Sequence, residues 1–170
     1  ICEGLVGSEM CIRDRPVAVS PLYVTPGSKD VIENDKKILN IGEEISKVIE
    51  ENFRRSGLFN PLKKDSFVQK PDIAHAKPRF EDWRLIKAQA LVTGKVTVSD
   101  NKLRTEFRLW DVVAAKEMVA LAFSTTPDNW RRVAHIISDK IYERLTGEAG
   151  YFDTRIIYVS ETGPKTQRYK

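Results

Sequence analysis

The sequence predicts an α+β domain, with two long helices packed on one face of a small mixed, mostly antiparallel sheet. Three observations carry this. First, Asn40–Phe59 and Pro127–Glu148 each place apolar residues at helical spacing on a single stripe. Second, three extended runs lie between them, joined by short connections, as in an antiparallel meander. Third, one of those runs, Lys102–Asp111, alternates so that one face is mainly apolar and the other charged. That is the pattern of a sheet covered on one side.

The first fifteen residues, ICEGLVGSEMCIRDR, stand apart from this pattern. Apolar and polar residues mix there without a period of 2 or 3.6. The arginines come at the end, and no long apolar run follows a basic one, so a signal peptide does not fit. The run Leu5–Arg15 resembles a transposase sequencing adapter translated in frame, so residues 1–15 read as an unstructured artefact. The domain proper is expected over residues 16–150. Residues 151–170 are expected to hold a linker and the first strand of a further region.

PVAVSPLYV is β-branched and alternating, and predicts a strand from Pro16. Thr25–Lys37 opens with Pro-Gly, turns charged, and reads as a loop. Asn40 is placed to cap the first long helix, with Glu43 at the third helical position as in a capping box. Ile41, Ile45, Val48, Ile49 and Phe53 form its apolar stripe, and Gly57 suits its stop. Pro61, Pro71 and Pro78 punctuate Asn60–Arg79, which reads as loop with one short strand at Ser66–Gln69. Phe80–Gln89 is a short helix with Trp83 and Ile86 on its buried side.

Next come two strands flanking a tight turn at Asp100-Asn101, then a third over Glu117–Thr126. In the second strand Leu103, Thr105, Phe107, Leu109 and Asp111 share the core face. Asp128 or Asn129 caps the second long helix, whose stripe is Trp130, Ala134, Ile137, Ile141 and Leu145, with Val133 at its edge. Gly147 ends it, and FDTRIIYVSE (Phe152–Glu161) reads as a last strand.

The composition is mildly basic. The chain has 28 basic and 24 acidic residues, a net +4. Without the opening segment, which holds two arginines against three acids, the balance is +5. The basic residues occur as scattered pairs, and solvated faces account for them better than a nucleic-acid track does. Cys2 and Cys11 both lie in the opening segment, so the remainder offers no disulfide, thiolate metal site or cysteine nucleophile. No stretch approaches the ~20 apolar residues of a membrane span.

Catalytic chemistry finds little footing. His75 sits in a Pro-rich loop, and His135 lies beside the stripe of the second helix. His135, Ser138 and Asp139 carry the letters of a triad. Three groups so close on one helix cannot adopt nucleophile–base–orienter geometry. Glu43-Glu44 and Glu50-Glu51 belong on a helix's exposed face. Gly94 is a lone strand glycine, and no phosphate-binding motif accompanies it. Trp83, Trp110 and Trp130 fit core positions better than a stacking platform for single strands. The residues therefore predict a binding or scaffolding domain without catalytic, cofactor or metal residues.

Four stretches resemble one family. RRSGLFNPL, WRLIKAQALVTGKV, WRRVAHIISDKIYERLTGE and GYFDTRIIYVSETGPK are similar, in order, to the N-terminal domain of the TolB family of the Tol-Pal envelope system. The resemblance implies helices on a small mixed sheet, similar in outline to anticodon-binding domains. It implies a non-enzymatic, periplasmic, monomeric interaction module, without cofactors, that links TolA and Pal for outer-membrane integrity and cell division. It would be peripheral to the outer membrane through Pal. Family members bind TolA through an N-terminal segment and Pal through a C-terminal β-propeller. Neither site maps onto residues of this sequence, so its partner-binding residues are unknown. The other reading the outline and charge allow is an RNA-binding module, which salt-sensitive RNA binding would reveal.

Overall fold

The computed structural model describes residues 15–28, 31–33, 36–38 and 40–155. The opening segment up to residue 14, and all of the predicted last strand after Arg155, lie outside the described residues. Residues 152–155 are not in a strand. Arg15, assigned by the sequence to the segment set aside, is the first residue of β1 (Arg15–Val19).

The first predicted strand is interrupted. β1 is followed by β2 (Tyr23–Val24), and both run parallel to β6 (Ala90–Ser99). Pro21 falls in the break, where its missing N–H cannot serve a ladder. Leu22 turns off the sheet and donates its N–H to Ser46 Oγ at 3.2 Å.

The expected loop at Thr25–Lys37 gives way to a small antiparallel hairpin, β3 (Val31–Glu33) with β4 (Lys36–Ile38), which ends one residue beyond it. Charged residues in so short a pair leave no hydrophobic alternation for sequence to register.

α1 (Ile41–Ser56) starts where predicted. Asn40 Oδ1 accepts the Glu43 N–H at 3.3 Å, and Gly57, at φ 66°, closes the last turn in the left-handed region. Ile41, Ile45, Ile49 and Phe53 are all buried. Gly42 admits no side chain, because a Cβ would overlap the Leu22 carbonyl. The helix thus enters hard against the β1–β2 break. Ser46 fixes it there, with its hydroxyl 2.9 Å from Gly42 O and 3.1 Å from Ser20 O.

The short strand expected at Ser66–Gln69 lies earlier, as β5 (Phe59–Pro61), parallel to β1. Its partner is distant in sequence, so local pattern does not reveal it. As an edge strand it also tolerates Pro61. Lys64–Ser66 is a 3-10 turn, and α2 (Pro71–Ala74) is a single turn opened by its proline. α3 (Phe80–Leu85) ends four residues earlier than predicted, because Lys87 adopts φ 61° and its N–H closes onto Arg84 O at 2.9 Å.

The meander follows the sequence closely. β6 pairs with β7 (Lys102–Asp111) in unbroken register from Ala90↔Asp111 to Ser99↔Lys102. Asp100 and Asn101 both have positive φ, the signature of the two-residue turn that matches strand twist. β8 (Lys116–Thr125) pairs with β7, with an irregularity at Leu109/Trp110. α4 (Trp130–Thr146) follows a 3-10 turn at Pro127–Asn129 and ends on Gly147 at φ 81°. Its cap departs from expectation: Asn129 occupies the position, but its side chain bonds Thr126 Oγ1 at 2.9 Å rather than the helix amides.

Among the described residues, six strands form one mixed sheet in the order β5-β1-β6-β7-β8, with β2 extending β1's side of β6. The path moves from β1 outward to β5, then back across β1 to β6. Successive parallel crossovers of one hand that reverse direction must lie on opposite faces. Accordingly α1 covers one face and α3 the other. The larger core holds Val17, Val19, Val92, Phe107 and the stripes of α1 and α4. A smaller one holds Ala18, Ala74, Trp83, Ala88, Leu91 and Val112. The sheet is therefore covered on both faces at its β1–β6 centre, not on one face throughout as alternation in β7 alone predicts.

Candidate functional site

Three polar places stand out. The first is a shallow depression of about 250 Å³ on the sheet face away from α1, lined by His75, Ala76, Gly94, Lys95, Glu106 and Arg108. Strand alternation puts Lys95, Glu106 and Arg108 on this outward face. Its charges are satisfied internally. Glu106 lies 3.3 Å from Lys95 and 3.0 Å from Arg104, while Arg108 lies 3.6 Å from Glu117. The Arg104 hydrogen bond holds the Glu106 carboxyl below its usual range; burial opposes it, and Lys95 adds to the lowering. Arg108 also donates to the Ala76 carbonyl at 3.3 Å. His75 stacks on Tyr23 with centroids 4.6 Å apart. Gly94 admits no side chain, because a Cβ would overlap the Glu106 carbonyl of β7 and crowd Leu22 Cδ2.

The second place is the α1–α4 seam. Asn52 Nδ2 donates to Ser138 Oγ at 2.9 Å and lies 2.9 Å from His135 Nδ1. Ser138 in turn donates to Ala134 O at 2.9 Å. Asn52 and Ser138 are buried, so this network satisfies polar groups inside a helix contact and fixes the register of the two helices. Elsewhere on α1, Glu50 is paired with Lys64 at 3.3 Å and half-buried, and burial pushes its carboxyl up despite the lysine.

The third is the far end of α4. Gly147 reverses the chain, and Thr146 Oγ1 donates to Tyr142 O and accepts the Glu148 N–H. Residues 150–153 then run back along the helix. Asp139 Oδ1 accepts the Phe152 N–H at 2.7 Å, and Oδ2 accepts the Asp153 N–H at 3.1 Å. Arg132 reaches Asp153 at 3.3 Å. The Tyr142 ring meets those of Phe59, Tyr151 and Phe152.

The triad letters form no relay. His135 and Ser138 both meet Asn52, Ser138 donates to its own helix backbone, and Asp139 accepts from residues 152 and 153. Trp83 and Trp130 are fully buried, and Trp110 is half-buried with its Nε1 donating to Thr93 Oγ1 at 2.9 Å. Among the described residues, no three or more His, Cys, Asp or Glu side chains come together as a metal site. No helix there is long and apolar enough to cross a membrane. Sequence reasoning missed the acceptor role of Asp139, and the roles of Ser46 and Gln69. Gln69 Oε1 is buried and takes both the Trp83 Nε1–H and the Arg79 N–H at 3.0 Å. Each role depends on a partner ten or more residues away, and short-range pattern carries no signal for it.

Comparison with known proteins agrees with the fold. The model of the TolB amino-terminal domain family matches residues 10–118, overlapping the last residues of the opening segment. The chain is 71% identical over 158 residues to the Tol-Pal system protein TolB of Pelagibacter ubique. That match covers 91% of this chain and 35% of the relative, so the chain spans about a third of the relative's length. Among solved structures, TolB from Acinetobacter baumannii superposes with a TM-score of 0.63 at 20% identity, covering 81% of this chain and 30% of that one. A hypothetical protein of Chlamydia trachomatis gives 0.57 at 11% identity, over 78% of this chain and 98% of that one.

Proposed function

We infer a function from one premise: the chain belongs to the TolB amino-terminal domain family. From it we propose that the protein serves in the Tol-Pal system as a non-enzymatic interaction module of the periplasm. Its task would be to link TolA and Pal in support of outer-membrane integrity and division. The observation that carries this is the 71% identity maintained over 91% of the chain. Two features of the domain fit it. The Asn52–Ser138 contact spends its polar groups on holding α1 to α4, as in a scaffold, and the cations of the outer sheet face are ion-paired rather than aligned for phosphates.

The test is a chimera in which residues 16–170 replace the matching part of the Pelagibacter ubique relative, produced in cells lacking their own TolB. The chimera should co-purify with Pal and TolA and restore the outer-membrane barrier to detergent. A soluble, exported chimera that captures neither protein and leaves the membrane leaky would refute the proposal.

A further inference from the structure

We propose that Asp139 anchors an internal docking site on α4 that holds residues 150–153 and sets the direction in which the chain leaves the domain. The carboxylate receives two successive backbone amides, Phe152 N–H at 2.7 Å on one oxygen and Asp153 N–H at 3.1 Å on the other. Hydrogen bonds to an ionised acceptor are about twice as strong as neutral ones, and two on one carboxylate fix orientation as well as position.

Three further features shape the site around this bond pair. Gly150 lies directly over Asp139, and a Cβ there would overlap the Asp139 Cα, Cβ and Oδ1, so only glycine permits the approach. Phe152 packs onto the larger core, with its ring 5.8 Å from that of Tyr142. Arg132, about two helical turns before Asp139, meets the Asp153 carboxylate with Nε at 3.3 Å from both oxygens. A glycine for approach, a carboxylate for two amides, an aromatic ring for burial and a guanidinium at the far end together make a site for this segment.

The consequence is mechanical. Residues 148–153 do not behave as a free linker. The backbone up to Asp153 is part of the domain, and it runs back towards the start of α4, not away from its end. Tyr142 also touches Phe59 in β5, so the docked segment bears on the sheet through one aromatic ring. Asp139 acts here as a positioning residue. The inference does not rest on the Tol-Pal reading, and each stands or falls without the other.

Amide hydrogen exchange on the whole chain tests it. In Asp139→Asn, the Phe152 and Asp153 amides should lose protection by about tenfold to a hundredfold, as expected for hydrogen bonds to a charged acceptor. The β6 and β7 amides should exchange as before, because they report global opening. Gly150→Ala keeps the carboxylate but blocks the approach, and should give the same local loss. Arg132→Gln should change protection by a few-fold at most, since that pair is exposed. Unchanged protection of Phe152 and Asp153 in both Asp139→Asn and Gly150→Ala would overturn the proposal. So would a loss that appears only together with equal loss in β6 and β7.

Discussion

Glu50 shows how one side chain can oppose the fold it belongs to. Its carboxyl is shifted up from 4.5, first by burial, with Lys64 offsetting part of the effect. A raised carboxyl means that the folded protein binds this proton more readily than the unfolded chain does. Its contribution to stability therefore falls as pH rises from 4.5 through the raised value. Glu50→Gln removes that dependence. Between pH 4 and pH 7 the wild type should lose stability relative to the variant, read as diverging urea midpoints. A wild type that gains on the variant over the same interval would show that the lysine outweighs burial. Thr105 is a related case: its hydroxyl is wholly buried and finds no hydrogen-bond partner among the described residues. The alternation in β7 identifies that position as buried, but burial alone does not say whether a polar atom there is satisfied.

At the level of elements, the long ones were legible and the short ones were not. α1, α4 and the meander carry their own periodicity, caps and turn residues, so Asn40, Gly57, Asp100-Asn101 and Gly147 all do what their types predict. β5 and the β3–β4 hairpin are three-residue strands whose existence depends on a partner, and their own residues say little. The end of α3 is hidden from the sequence for a different reason. Lys87 occupies the left-handed position that usually takes glycine, so the expected stop signal is absent from the sequence. Lys87→Gly relieves that conformation. It should leave the fold intact and raise stability by up to about 1 kcal/mol, net of the added freedom of the unfolded chain. Thermal melts of the two proteins would decide it, and a clear loss would mean that the lysine side chain contributes more than its backbone costs.

For the molecule as a whole, the two cores are joined by the strands between them. Val17 and Val19 face one and Ala18 the other, and Leu91 and Val92 divide in the same way. Damage to the smaller core should therefore be felt throughout. Trp83→Ala removes a fully buried indole and the hydrogen bond to Gln69, and should cost about 3–5 kcal/mol. It should lower a single unfolding transition, seen alike by circular dichroism and by fluorescence of the remaining tryptophans. Two separated transitions would show that the faces unfold independently. The central position of β1 also has a bearing on synthesis. Val17 pairs with Pro61 on one side and with Ala90 on the other, both made long after it. While the chain is being made, the apolar run Val17-Ala18-Val19 must wait, first for a three-residue partner and then for β6, with no neighbour of its own to shield it. The strand at the centre of the finished sheet is thus the one most exposed to chaperones and to mispairing before the chain is complete.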